Sequence, residues 1–279
     1  MNLHTIETGF FKLDGGAMFG VVPKSIWQRS NPADENNLCT WAMRCLLIED
    51  GKRLILVDNG IGNKQDEKFL SHYHLHGNDS LEKSLAKLGF NKDDITDVFL
   101  THLHFDHCGG SIEKQGDLLV PAFKNAKYWS NEQHWKWATE PNQREKASFL
   151  KENILPIEAS GQLYFINDET ALNFHPDIKI RYAFGHTDAM MLPQINYKGR
   201  TVVFMADLLP STGHIPLPYV MGYDMFPLTT LKEKEAFLNE AADNEYILML
   251  EHDPINECCT VIRTEKGVRL KDTFKLSDI

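Results

Sequence analysis

Ten residues constrain this chain more than any others: Thr101-His-Leu-His-Phe-Asp-His-Cys-Gly-Gly110, which packs three histidines and a carboxylate into six positions. In an extended segment alternate residues face one side, so His102, His104 and Asp106 can converge while Leu103 and Phe105 turn into the core. His107 follows where the chain turns, and Gly109-Gly110 lets the loop wrap tightly around a cation. The apolar run Asp97-Val-Phe-Leu-Thr101 leads directly into the cluster. A fold for this chain must therefore end a buried strand at a ligand-bearing loop, where α/β proteins commonly hold their sites.

Imidazole nitrogen and carboxylate oxygen suit Zn²⁺, and four such ligands in one loop exceed what a single catalytic ion uses. Two divalent metal ions are the better count. Further donors are His186 in Phe184-Gly-His-Thr187, Asp207 after Val202 to Ala206, and His252 after Leu248-Met-Leu-Glu251; each follows a predicted strand. Paired ions can share a water and bring its pKa toward neutrality. A hydroxide so formed is a nucleophile, and Asp106 or Asp207 is the expected catalytic proton shuttle. A second histidine run, Ser71-His-Tyr-His-Leu-His76, has no carboxylate beside it and reads as a solvated segment.

Period-2 and short apolar runs predict strands at Thr5 to Leu13, Ala42 to Ile48 and Arg53 to Asp58. Met18 to Trp27, broken by Gly20 and Pro23, reads as an apolar loop. A helix is expected from Ser80 to Leu88 with Gly89 as its stop, and two more between Asn131 and Leu155, divided by Pro141. Strands return at Leu163 to Ile166, Ile178 to Phe184, Met191 to Tyr197 and Val202 to Ala206. A helix near Leu231 to Ala242, a strand at Tyr246 to Leu250 and a final hairpin with Gly267 in its turn complete the pattern. Two similar halves imply a sandwich of two sheets with helices outside, in one domain over residues 1–279.

The net charge of −10 disfavours nucleic-acid partners, since such a field repels phosphate backbones. No apolar stretch is long enough to span a bilayer and the first residues lack a signal-peptide pattern, so no membrane partner and a cytoplasmic location are expected. Five cysteines without a CxxC pair read as reduced thiols.

HxHxDH, then a GHT histidine, an aspartate after one apolar strand and a histidine after another, together resemble the metallo-β-lactamase superfamily over most of the chain. With Gly16-Ala-Met-Phe-Gly-Val-Val-Pro-Lys24, the cluster looks most like the N-acyl-homoserine-lactonase branch, near methyl-parathion-hydrolase-like enzymes. The resemblance implies an α/β, four-layer αβ/βα sandwich of two mixed β-sheets. It also implies that His102, His104 and His186 hold one ion, Asp106, His107 and His252 the other, and that Asp207 bridges them. The implied activity is a zinc-dependent, quorum-quenching opening of a small-molecule lactone, with phosphotriester or aryl-ester hydrolysis as the alternative.

Two positions depart from the family pattern. Members commonly show GHTxGH, whereas this chain reads Gly185-His-Thr-Asp-Ala-Met190. Some lactonases place a tyrosine three residues after the bridging aspartate to polarise the carbonyl, and here that residue is Pro210. Tyr219, Tyr223 and His214 are candidates for the role, and Phe19, Val21 and Trp27 for lining the substrate pocket. A homodimer through the apolar loop near Val21 is a further expectation. A di-iron redox protein is disfavoured because that branch carries Glu at the position of His104. A nuclease is disfavoured by the acidic surface, and a purely structural metal site by a ligand set that leaves room for water.

Overall fold

A computed structural model describes residues 1–167 and 174–279. By its contacts the chain forms two compact units, one of residues 1–9, 43–72 and 77–176, the other of 10–42, 73–76 and 177–279.

Long apolar runs set the first unit's sheet. Its strands are β1 (Asn2–Asp14), β2 (Leu38–Asp50), β3 (Arg53–Val57), β4 (Asp97–Phe99), β7 (Lys127–Ser130) and β8 (Leu163–Phe165), hydrogen-bonded in that order; β5 (Ile112–Gln115) and β6 (Leu118–Pro121) form a separate hairpin. The far ends of β1 and β2 belong to the second unit. Ile55, Leu56, Val57, Val98 and Phe99 are fully buried. Strands covered on both faces have this continuous apolar character, and β3, β4, β7 and β8 accordingly run parallel. Val98 and Leu100 share a core with Leu85, Tyr128, Trp135 and Ile154, so the strand that delivers the histidine cluster is fixed by burial. Helix Leu81–Lys87 forms where expected, with the Ser80 hydroxyl accepting from the Lys83 amide at its start.

The second unit's sheet comprises β9 (Ile178–Ala183), β10 (Met190–Tyr197), β11 (Arg200–Phe204), β12 (Ile247–Met249), β13 (Cys258–Thr264) and β14 (Gly267–Phe274), ordered β14-β13-β12-β11-β10-β9. Only β11 and β12 pair in parallel, and the crossover joining them includes the helix Pro227–Asp243. Pro227 opens that helix, one turn before the sequence pattern predicted, because proline is pre-organised at a first helical position.

The result is an α/β fold with mixed sheets and helices. Three local expectations change. Residues 18–27 contribute to two short helices, Gly15–Phe19 and Lys24–Trp27, the first capped by Asp14 accepting from the Ala17 amide; Gly20 and Pro23 separate them without unwinding either. Residues Phe105–Cys108 form a helical turn, because the His104 carbonyl accepts from the amides of His107 and Cys108, at 3.1 Å each. Gly267 starts β14 opposite Thr264, so the final turn consists of Glu265 and Lys266. All five cysteines are buried. Among the described residues no helix is long and apolar enough to cross a membrane.

Candidate metal centre

In the first unit His102, His104, Asp106 and His107 cluster at the end of β4, all buried. Only His102 and His104 use the extended geometry read from the sequence, their Nε2 and Nδ1 atoms lying 3.0 Å apart. Asp106 and His107 sit on the helical turn, with Asp106 Oδ2 3.8 Å from His107 Nε2. The turn can close here because Gly109 has no side chain: a Cβ there would lie 2.1 Å from the Ile61 carbonyl oxygen.

Each imidazole of this cluster is held from behind. Asp58, fully buried, accepts from the Thr101 amide at 2.8 Å and the Thr101 hydroxyl at 2.6 Å, while its Oδ2 stands 3.2 Å from His107 Nδ1. The Thr101 hydroxyl also lies 3.1 Å from His102 Nδ1. His104 Nε2 faces Glu145 Oε1 at 2.9 Å, and Glu145 in turn accepts from Trp137 Nε1 at 2.6 Å and from Asn142 Nδ2 at 3.3 Å. His134 Nε2 accepts from the Leu103 amide at 2.9 Å, pinning the segment between the two histidines. Such partners fix which nitrogen of a histidine faces the ion and raise its basicity. We expect Glu145→Gln to weaken metal binding by about 10–100-fold with little change in fold, read by chelator competition. Trp137→Phe should give a smaller loss in the same direction.

In the second unit His186, Asp207 and His252 follow β9, β11 and β12. Asp207 stands between the other two, its Oδ2 3.0 Å from His186 Nε2 and its Oδ1 3.1 Å from His252 Nε2. The outer nitrogens are again secured: His186 Nδ1 faces Asp224 Oδ1 at 2.9 Å, and His252 Nδ1 donates to the Ala42 carbonyl at 2.7 Å. Burial alone would lower the His186 pKa, but Asp207 and Asp224 overcome it and carry it up to about 10. The same two carboxylates favour a divalent cation, which would have to displace that proton to bind. A Cβ on Gly185 would lie 2.2 Å from the Thr230 amide nitrogen, so the loop bearing His186 seats against the start of the long helix only with glycine there.

The donor chemistry fits divalent ions: buried imidazole nitrogens and carboxylate oxygens, with the rear nitrogen of each histidine engaged inside its own unit. Asp58, Glu145, Asp224 and the Ala42 carbonyl were not singled out from the sequence, because their role exists only once the chain is folded.

The pocket candidates all lie in the second unit. Phe19, Trp27 and His214 are fully buried in one aromatic stack, Phe19 lying 4.4 Å from His214 and 5.2 Å from Trp27 between ring centroids. Both nitrogens of His214 are engaged, Nε2 with the Met18 carbonyl at 2.9 Å and Nδ1 with the Ser211 hydroxyl at 2.8 Å. Burial pushes its pKa down to about 3, so the ring is neutral. With both nitrogens taken, His214 serves as a strut between loops. Tyr219 is half-buried against the edge of Phe19, Tyr223 is 38% exposed, and Val21 is 96% exposed. Pro210 lends its carbonyl to the His252 amide at 3.1 Å. In the second histidine run His72, His74 and His76 are exposed, and His76 bridges to Phe10 by backbone hydrogen bonds, in keeping with a solvated segment.

A family model described as the metallo-β-lactamase superfamily matches residues 44–252, and the chain belongs to that superfamily. It is similar in structure to a probable metal-dependent hydrolase from Staphylococcus aureus, with 28% identity, a TM-score of 0.85 and 98% of each chain covered. It is also similar to AidC, a dizinc quorum-quenching lactonase solved with a product, at 21% identity and TM-score 0.81, covering 98% of this chain and 95% of that one. A third similar structure is the hydrolase AbOPH, at 21% identity and TM-score 0.77, covering 98% and 94%. No curated protein matches the chain. The family and its hydrolase neighbours make this protein a metallo-hydrolase.

Proposed function

We propose that the two units act as one domain over residues 1–279 and open a lactone ring, with an N-acyl-homoserine lactone as the substrate class. The observation that carries the reading is that each unit presents its own half of a ligand set, every imidazole fastened at its rear nitrogen. His102, His104 and His186 would hold one ion, Asp106, His107 and His252 the other, with Asp207 common to both and Zn²⁺ as the metal. When bound, the pair would supply Lewis acidity and a water made acidic enough to attack.

The chain's own residues supply the proton handling and the orientation. The water oxygen forms a new bond to the lactone carbonyl carbon, and the ring C–O bond breaks. Asp106 or Asp207 accepts the water's proton on a carboxylate oxygen and returns it to the leaving alkoxide, so nothing is consumed except water. The rear partners of the histidines keep the donors fixed while charge builds on the carbonyl oxygen. Tyr219 and Tyr223 contact the substrate in this reading. Support for the lactone comes from AidC, which was solved with the product N-hexanoyl-L-homoserine.

Pro210, where some lactonases carry a polarising tyrosine, favours a second reading in which an aryl ester or phosphotriester is cleaved at the same centre. A turnover panel of the three substrate types, with metal content measured on the same preparation, separates them. Lactone should lead the others in kcat/KM by about a hundredfold, a margin of roughly 2.7 kcal/mol in transition-state binding. A phosphotriester in the lead, or a protein that takes up no metal, would overturn the lactone reading.

A further inference from the structure

The helix Pro227–Asp243 buries Thr230, Lys234, Phe237, Leu238 and Ala241, an apolar stripe at helical spacing with a lysine in its second place. Lys234 is 1% exposed. A buried ammonium is costly unless every proton is donated. Here Nζ donates to the carbonyls of His214 at 2.8 Å, Tyr219 at 2.8 Å and Pro216 at 3.2 Å. All three acceptors lie within six residues of one loop, and each is a backbone group whose polarity no substitution in the loop would remove. Burial drives the lysine's pKa down to about 7, with the Asp224 carboxylate opposing it.

The same loop is fastened elsewhere by different means. Its beginning is tied by Asp253, which accepts from the Thr212 amide and hydroxyl at 2.9 and 2.7 Å. His214 is clamped through its ring to Met18 and Phe19, and Gly222 donates its amide to the Ala17 carbonyl at 2.8 Å. Between these ties come Pro216 and Pro218, which have no amide proton to organise the backbone. The Tyr219 amide reaches back to the Pro216 carbonyl at 2.9 Å, and Lys234 gathers the carbonyls around it.

We propose that Lys234 is a positioning residue that sets the shape of the 214–219 segment, and so determines how Tyr219 meets the substrate's acyl chain. This rests on the lactonase reading for its substrate, but the tethering itself does not.

The test uses the full chain loaded with metal, comparing wild type with Lys234→Met, which keeps the length and removes the charge and donors, and with Lys234→Arg, which keeps both. In Lys234→Met, amide hydrogen exchange should rise about tenfold or more in residues 214–222 while the sheet strands β10 to β13 keep their protection. KM for a long-chain acyl lactone should rise about tenfold with kcat changed by less than about threefold, and the KM effect should shrink for a short acyl chain. Lys234→Arg should restore part of both. The wild type alone supplies a third reading, taken at a pH well below the lysine's lowered pKa so that the group is the ammonium: an ¹⁵N–¹H correlation protected from solvent. Unchanged exchange in 214–222, exchange raised uniformly over the whole second unit, a kcat loss at constant KM, or absence of that correlation would each overturn the proposal. Should the protein turn over no lactone, the exchange and ammonium readings still decide for Lys234, and the fault then lies with the lactonase reading.

Discussion

Replacing Asp207 by alanine is expected to abolish hydrolysis and to leave the protein short of its full metal content while the fold persists. The side chain stands between two imidazole nitrogens, at 3.0 Å from His186 and 3.1 Å from His252, so its removal takes away both contacts at once. Losing an outer partner of a metal ligand costs about 10–100-fold. Loss of a carboxylate that faces two ligands directly should exceed that range in both metal affinity and kcat/KM. Asp207→Asn keeps the shape and one oxygen but gives up the charge, and its activity should fall between wild type and the alanine variant. Metal analysis of the dialysed protein together with steady-state turnover reads the result. Full metal content with undiminished activity in the alanine variant would remove Asp207 from the centre.

Asp58→Ala should be the most damaging substitution outside the ligand set. Asp58 is fully buried, and with its side chain gone the Thr101 amide, the Thr101 hydroxyl and His107 Nδ1 all lose their acceptor at once. Breaking a buried charged network by removing one partner costs about 3–5 kcal/mol. The first unit should therefore unfold at clearly lower denaturant, and His107, no longer held from behind, should bind metal weakly even where the protein stays folded. Denaturant unfolding of the metal-free protein isolates the stability part, and metal titration of the folded variant isolates the positioning part. Asp58→Ala with wild-type stability and wild-type metal affinity would show that Thr101 and His107 are held by other means.

How far these features were legible depends on the separation of the residues involved. Strand β4 and the cluster of candidate donors after it could be read because burial, period and residue type lie within a dozen consecutive positions. The helical turn at Phe105–Cys108 was missed because HxHxDH fits two conformations equally well as a pattern, and closure of the His104 carbonyl on two amides decided between them. His214 was singled out as a candidate on residue type alone, and the engagement of its two ring nitrogens with Met18 and Ser211 is visible only in the folded chain. Lys234 shows the opposite case. A lysine on an apolar stripe reads locally as a flaw in the amphipathic pattern, and the three carbonyls that justify it become apparent only in the folded chain.

The sequence by itself determined which side chains have metal-binding chemistry, which strands end at them, and that the protein is an α/β metallo-hydrolase. Tertiary structure alone decided the partners behind each donor, Glu145 for His104 across 41 residues, Asp224 for His186 across 38 and Asp58 for His107 across 49. The reason is physical. Residue type and periodicity act over one or two turns of chain and leave their mark in a short window, whereas a hydrogen bond between distant segments depends on how whole strands and loops are placed by core packing.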